Sequence, residues 1–383
     1  MRTSYQQGKC INVQPIRVIF AGGGTGGHLF PAIAIADEIR KIQPHAEIAF
    51  IGTKEKIEAR VVPQKGYRFF PIWISGFHRS LRISNILFPL KIIVSFMQVF
   101  SILKNFKPDI VVGTGGYVSG PVLRVATFLK IPTLIQEQNS YPGITTRILA
   151  KKVDEIHLTF EDSKKYFLQF QNIFVTGNPT RADLENVNQN DAIAYFEFDK
   201  TEDRKTILVF GGSLGAHTIN VSIEKHIDML LKNNLRVIWQ TGKEDIQHAR
   251  EVTKKYTCKH IWVNEFIERM DFAYAASDLV ICRAGATTIA KLTRLGKPAI
   301  LVPYPHAAAN HQVENAKSLV QTGAAEVVYD NELNEKLSAT VLRVMLSSNL
   351  KRMSEISLKL GKPNAASELA ERIQQLSKRH GRS

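Results

Sequence analysis

VIFAGGGTGGH, residues Val18 to His28, takes an apolar run directly into five glycines and a histidine. The spacing predicts a strand over Arg17 to Phe20, a tight turn, and a helix from Phe30 to about Arg40 with Pro31 near its first turn. Strand, glycine turn and helix in that order let a backbone hold phosphate. Glycine admits positive φ and close approach, and the N–H groups at a helix start favour an anion. The spacing does not fit the dinucleotide fingerprint, and no acidic residue closes the next strand. No Lys-Ser/Thr pair follows, so it is not a Walker loop. A plain turn ending in a surface histidine would not need so many glycines, because each is entropically costly.

The same order recurs along the chain. Strands are predicted over residues 47–51, 109–112, 133–135, 156–158 and 173–175, with a second glycine loop at 113–121. Gly177-Asn178-Pro179 stops the last of them, and residues 183–203 are polar and acidic with no firm period. The pattern then restarts with strands at 206–210, 236–240, 260–263, 279–281 and 298–302. Glycine turns lie at 211–216 and 283–288, and helices are expected over 310–320, 331–345 and 364–376. The predicted class is α/β, with two Rossmann-like domains facing a cleft. The expected first domain is residues 1–177, joined by a returning helix within 364–383, and the second is 178–363.

At 383 residues, two cores are the default. Apolar content of 44% and charged content of 22% are ordinary for a globular chain. The three cysteines, Cys10, Cys258 and Cys282, fit no zinc or disulfide spacing and point to a reducing compartment. The first ten residues are polar, so no signal peptide is expected. No stretch reaches the roughly 20 apolar residues of a membrane span. The net charge of +15 suits nucleic acid, an anionic membrane or anionic substrates. Without a helix-turn-helix, zinc-finger or RNA-binding aromatic signature, nucleic acid is not expected.

Residues 73–103 carry large apolar side chains and basic residues but no acidic one. A buried helix is predicted from about Pro89 to Lys104. Before it, Phe77, Leu81, Ile83, Ile86, Leu87 and Phe88, with Arg79 and Arg82, form a basic apolar segment suited to an anionic bilayer surface. In the turns, His28, Glu137 and His306 are the candidate acid–base groups. Ser213 is placed to touch a phosphate oxygen. His306 and His311 are five apart and need not share a helix face, so no metal site is expected, and no cofactor.

GGGTGGH at 22–28, GTGGYVSGP at 113–121, QEQN at 136–139, GNPTR at 177–181, GGSLGA at 211–216, RAGATT at 283–288 and HQVENA at 311–316 occur in one order. Together, from Arg17 to about Leu376, they resemble the bacterial peptidoglycan glycosyltransferases that add N-acetylglucosamine to undecaprenyl-diphosphate-linked muramyl-pentapeptide. The resemblance implies the inverting, metal-independent GT-B type, with UDP-N-acetylglucosamine as donor and a last helix crossing back onto the first domain. It implies that Thr25, Gly26, Gly27 and His28 face the acceptor diphosphate or reacting centre, with Tyr117 and Ser119 on the same side. Glu137 and Asn139 would lie near acceptor and donor sugar, and His28 or Glu137 would move the proton. Arg181 and Ser213 would approach the donor diphosphate, flanked by Ala286, Thr287 and Thr288. Gln312 and Asn315 would reach the donor sugar or its phosphate.

It further implies docking on the cytoplasmic face of the inner membrane through Phe77, Arg79, Leu81, Arg82 and Phe88, and partners among other cell-wall synthesis proteins. Two departures stand out. The family commonly has histidine where this chain has Gln136. It also has glutamate on the nucleotide ribose where this chain has Lys291. The competing readings are a weakly catalytic nucleotide-sugar-binding homologue and a transferase acting on another glycolipid.

Overall fold

The computed structural model describes residues 15–76, 88–180, 185, 187–256 and 259–380. The first half runs β1 (Arg17–Gly22), α1 (Gly26–Ile42), β2 (Glu47–Gly52), α2 (Ile57–Gln64), β3 (Arg68–Pro71), α3 (Phe88–Phe106), β4 (Ile110–Gly115), α4 (Gly116–Phe128), β5 (Thr133–Glu137), α5 (Ile144–Leu149), β6 (Glu155–Leu158) and β7 (Ile173–Val175). The second runs α6 (Gln189–Tyr195), β8 (Lys205–Phe210), α7 (His217–Lys232), β9 (Leu235–Gln240), α8 (Ile246–Thr253), β10 (Ile261–Asn264), α9 (Met270–Ala276), β11 (Leu279–Cys282), α10 (Ala286–Arg294), β12 (Ala299–Leu301), α11 (His311–Thr322), β13 (Ala325–Val327), α12 (Leu333–Val344), α13 (Ser347–Leu360) and α14 (Ala365–His380).

These strands build two parallel sheets, ordered β3-β2-β1-β4-β5-β6-β7 and β10-β9-β8-β11-β12-β13. Their apolar runs are continuous because helices cover both faces. Val18, Ile19 and Phe20 of β1 are fully buried, as are Leu208 and Val209 of β8. In each sheet the order reverses at the first strand: β1 pairs with β2 and β4, and β8 with β9 and β11. A ligand crevice opens beyond the carboxyl ends of strands at such a switch point. Four of the glycine-bearing turns therefore lie where chemistry is expected: those after β1, β4, β8 and β11.

The last helix, α14, does not stay with the second sheet. Leu369, Ala370, Ile373 and Leu376 are buried among Val18, Phe20, Ile33 and Phe50 of the first. Arg372 on the same helix grips Glu155 of β6, Nε to Oε2 at 2.7 Å and Nη2 to Oε1 at 2.5 Å.

Three sequence expectations need correction. The helix read as buried from Pro89 to Lys104 is buried only along Ser95, Val99, Leu103 and Phe106. On its other face Leu90, Ile93, Met97 and Phe100 are 42–59% exposed. That helix is also long and apolar enough to cross a membrane by length and composition, although no such stretch was expected. Composition cannot separate one buried stripe from two apolar faces. The segment 183–203, read as aperiodic, contains α6, whose Ala192 and Ile193, with Phe196 and Phe198 beyond it, enter the second core. α13 was not anticipated.

Candidate active site

On the first sheet, β1 delivers its turn into α1. The carboxylate of Glu58, itself 1% exposed, accepts from Gly24 N at 3.0 Å, Thr53 N at 3.1 Å and Thr53 Oγ1 at 2.9 Å. This buried acid, which the sequence reading missed, uses the Gly24 amide. Beyond it, Thr25, Gly26 and Gly27 form the start of α1. Nothing local in the sequence marks Glu58, because it reaches the loop from α2.

His28 sits in that turn. Its Nδ1 lies 3.2 Å from the Gly23 carbonyl and 3.3 Å from Thr25 Oγ1. A carbonyl only accepts, so Nδ1 carries the proton and Nε2 keeps the lone pair. The ring packs on Gly115, where a Cβ would fall 2.7 Å from His28 Cδ2 and where φ is +101°. Only glycine suits that place. Burial lowers the imidazole below its ordinary value of 6.5, against the opposing pull of Glu137, and His311 adds to the lowering. His28 is thus neutral near pH 7. Tyr117 stands beside Gly24, and Ser119 Oγ bonds Ala21 O at 2.7 Å, fixing the start of α4 to β1.

Glu137 ends β5 and is 3% exposed. Its Oε2 accepts from Thr146 Oγ1 at 2.6 Å and Gly143 N at 3.1 Å, and its Oε1 from Asn139 N at 3.1 Å. This carboxylate shapes the 137–146 loop. Gln136, where the resemblance led us to expect histidine, is buried, with Nε2 reaching Thr159 Oγ1 and the Gly177 carbonyl at 3.3 Å.

On the second sheet, Gly212 (φ +100°) faces open space and Ser213 beside it is exposed. At Gly215 (φ +84°) a Cβ would fall 2.0 Å from the Thr241 carbonyl, so the turn after β8 lies backbone to backbone on the turn after β9. α10 begins at Ala286, and Thr287 Oγ1 is buried there with no hydrogen-bond partner among the described residues. Thr288 follows, and Lys291 lies one turn beyond Thr287 on the same face. Arg283 is tied to Asp330 and, at 3.0 Å, to Thr218 Oγ1. Arg181, and Phe77, Arg79, Leu81 and Arg82, lie outside the described residues.

α11 brings the halves together. Ala309 and Asn310 precede it in the left-handed region, φ +51° and +54°. Such backbone costs on the order of 1–3 kcal/mol per residue and gathers at functional sites. It presents His311 and Gln312 at the helix start. Gln312 Oε1 accepts from Tyr304 N at 3.0 Å. Sequence spacing relates His311 only to His306, because its approach to His28 exists only once the two halves are packed. Asn315 does not fit the donor contact implied by resemblance. It is fully buried, its Oδ1 accepting from Ser140 N at 2.8 Å and its Nδ2 donating at 3.2 Å to Asn139 Oδ1 and Ala284 O. Both amide atoms are spent joining the two halves.

Two parallel α/β sheets whose glycine turns meet across a cleft, one side offering a neutral histidine and the other helix starts for an anion, define a two-domain nucleotide-sugar glycosyltransferase. Residues 18–158 match the glycosyltransferase family 28 N-terminal domain and residues 206–373 the family 28 C-terminal domain. The chain belongs to glycosyltransferase family 28. It is 43% identical over 364 residues to a protein of Christiangramia forsetii, covering 94% of this chain and 98% of that one. It is 44% identical over 365 residues to one of Prosthecochloris aestuarii, with the same coverage. Both are described as UDP-N-acetylglucosamine–N-acetylmuramyl-(pentapeptide) pyrophosphoryl-undecaprenol N-acetylglucosamine transferases. The crystal structure of Acinetobacter baumannii MurG superimposes with a TM-score of 0.76 at 28% identity, covering 94% of this chain and all of that one. A UDP-GlcNAc 2-epimerase of Neisseria meningitidis, TM-score 0.65 at 16% identity, shares the fold.

Proposed function

We propose that this enzyme transfers N-acetylglucosamine from UDP-N-acetylglucosamine, with inversion, to the 4-hydroxyl of muramyl-pentapeptide diphosphoryl-undecaprenol. The product is the lipid-linked disaccharide precursor of peptidoglycan. The observation that carries this reading is family 28 membership over both domains, with relatives of that activity matched along nearly their whole length. Incubation with labelled UDP-N-acetylglucosamine and lipid-linked muramyl acceptor tests it. Labelled lipid-linked disaccharide is expected, and hydrolysis of the donor alone would count against it.

In this mechanism His28 Nε2 takes the proton of the acceptor hydroxyl as its oxygen bonds to the anomeric carbon. The bond from that carbon to the diphosphate breaks, and its electron pair leaves with UDP. The start of α10 at Ala286, Thr287 and Thr288, with Ser213 and Arg181, stabilises the departing charge. Glu137 and Asn139 shape the loop beside the reacting centre. The first domain with α14 takes the acceptor, and residues 178–363 take the donor.

Lys291 bears on donor recognition. A carboxylate accepts both ribose hydroxyls, whereas an ammonium only donates. Lys291→Glu is expected to tighten UDP-N-acetylglucosamine binding about tenfold, about 1.4 kcal/mol, and to widen discrimination against 2′-deoxy-UDP. Calorimetry with both nucleotides checks this, and two unchanged affinities would remove Lys291 from the ribose site.

The enzyme works as a peripheral protein on the cytoplasmic face of the inner membrane. Val99 and Leu103 pack α3 into the core of its domain, which supports a helix lying along a bilayer over one crossing it. A cavity of about 720 Å³ opens beside that face between Phe96, Met97, Phe100, Phe128, Arg124 and Lys152. In the sequence, the basic and apolar residues 77–88 lead directly into α3. Each basic residue near an anionic surface contributes about 1 kcal/mol. Replacing Arg79, Arg82 and Lys91 by glutamine should therefore weaken binding to anionic vesicles far more than to neutral ones. Equal sedimentation of variant and parent with anionic vesicles at low salt would sink the idea.

A further inference from the structure

The halves of this site are joined by a chain of hydroxyls that the transfer mechanism above does not use. Ser140, directly after QEQN, places its Oγ 2.8 Å from Ser318 Oγ of α11. Ser318 Oγ lies 2.9 Å from Asp162 Oδ2. A carboxylate only accepts, so Ser318 gives its one proton to Asp162 and must receive one from Ser140. The chain thus has a fixed direction, Ser140 to Ser318 to Asp162. Ser163, buried beside Asp162, adds a second hold, its Oγ 2.9 Å from the Ser140 carbonyl and 3.2 Å from that of Asn139. Ser318 lies three residues after Asn315, on the same face of α11.

What these contacts fix is the relation between the two reacting sides. Along α11, Ser318 is seven residues, about 10 Å, from His311, whose charge is felt by His28. On the other side, Ser140 is three residues from Glu137, which also acts on His28. The clasp therefore ties the loop beside the base to the helix that presents His311 and Gln312. Asp162 is exposed, so water can compete with Ser318 for its carboxylate.

We propose that Ser140, Ser318 and Asp162 are positioning residues that set the closed spacing of the two domains for transfer, a role that rests on the transferase reading above. A misplacement of about 1 Å costs on the order of 10²-fold in rate. Loosening one contact of several should therefore lower kcat by roughly tenfold, while donor affinity, built within the second domain, stays within about twofold.

The test uses the full chain with Ser318→Ala, Asp162→Ala and the double variant. Transfer is followed with lipid-linked muramyl acceptor, and UDP-N-acetylglucosamine binding is measured by calorimetry. The expected result is a fall in kcat with unchanged donor affinity, recovery in Ser318→Thr, and a double variant no slower than either single one, because both cut the same chain. Solution scattering without substrate should also show a larger radius of gyration for each alanine variant. A kcat within twofold of the parent, or losses that multiply in the double variant, would overturn the clasp. A parent that transfers nothing to this acceptor defeats the proposed function instead. The scattering comparison then still decides the clasp, which unchanged dimensions would overturn.

Discussion

His28→Ala is expected to lower kcat by about 10²–10⁴-fold, the usual span for losing a general base, with UDP-N-acetylglucosamine affinity nearly unchanged. The reason lies in the ring's setting. The Gly23 carbonyl holds the proton on Nδ1, and burial keeps the ring neutral. Nε2 is then a lone pair ready at neutral pH. The pH profile follows with a definite sign. A base works only when unprotonated, and a lowered pKa moves its protonation to more acid solution. The acid limb of kcat/KM, which reports the free enzyme, should therefore lie below pH 6.5, with activity full above it and lost as pH falls through the lowered value. Steady-state rates across pH 4.5–8 for parent and variant check both parts. An alanine variant at half the parental rate, or an acid limb above 6.5, would remove His28 from the proton transfer. Glu137→Gln should have a smaller effect, through the loop that Thr146, Gly143 and Asn139 build on it.

The second large effect is on stability. Arg372→Met removes the guanidinium from Glu155, whose side chain is 3% exposed, and leaves a buried carboxylate beside His157 at 3.2 Å. Breaking a buried pair on one side costs about 3–5 kcal/mol. With the Arg372 side chain 25% exposed, the lower end, about 3 kcal/mol, is expected. Urea unfolding should show it. Hydrogen exchange should show α14 opening before the first sheet, since that pair and Leu369, Ile373 and Leu376 hold the helix there. The acid dependence has its own sign. Burial pushes the Glu155 carboxyl up, but hydrogen bonds from His157 and Arg372 outweigh it and hold it below 4.5. A depressed carboxylate stabilises above its unfolded value and loses that contribution as pH falls through the folded one. The parent should lose this stability below about pH 4.5, and Arg372→Met should have little of it to lose. An unfolding midpoint equal to the parent's would show that the helix is held by its apolar face alone.

Both results depend on features that differ in how far the sequence shows them. The strand, glycine and helix order was legible at Val18–His28 because a parallel strand covered on both faces must be apolar throughout, and because a turn that meets another backbone must be glycine. The turn around Gly215 obeys the same rule. α3 was half legible: its length and apolar content were plain, but not which stripe the core would take. α6 was hidden because its burial rests on aromatic residues beyond its own end, Phe196 and Phe198.

The sequence alone therefore determined the class of the fold, the number of sheets, the loops that face the cleft and the family, all of which follow from local periodicity and from motifs in order. The tertiary structure decided the chemistry of individual groups. It set Glu58 under the first glycine loop, committed Asn315 to the seam between domains, engaged Glu137 with its own loop and placed Nδ1 of His28 on the Gly23 carbonyl. Each of these depends on which groups from distant parts of the chain meet. Burial and hydrogen-bond partners, which fix a proton's place and an amide's use, exist only once those parts are packed.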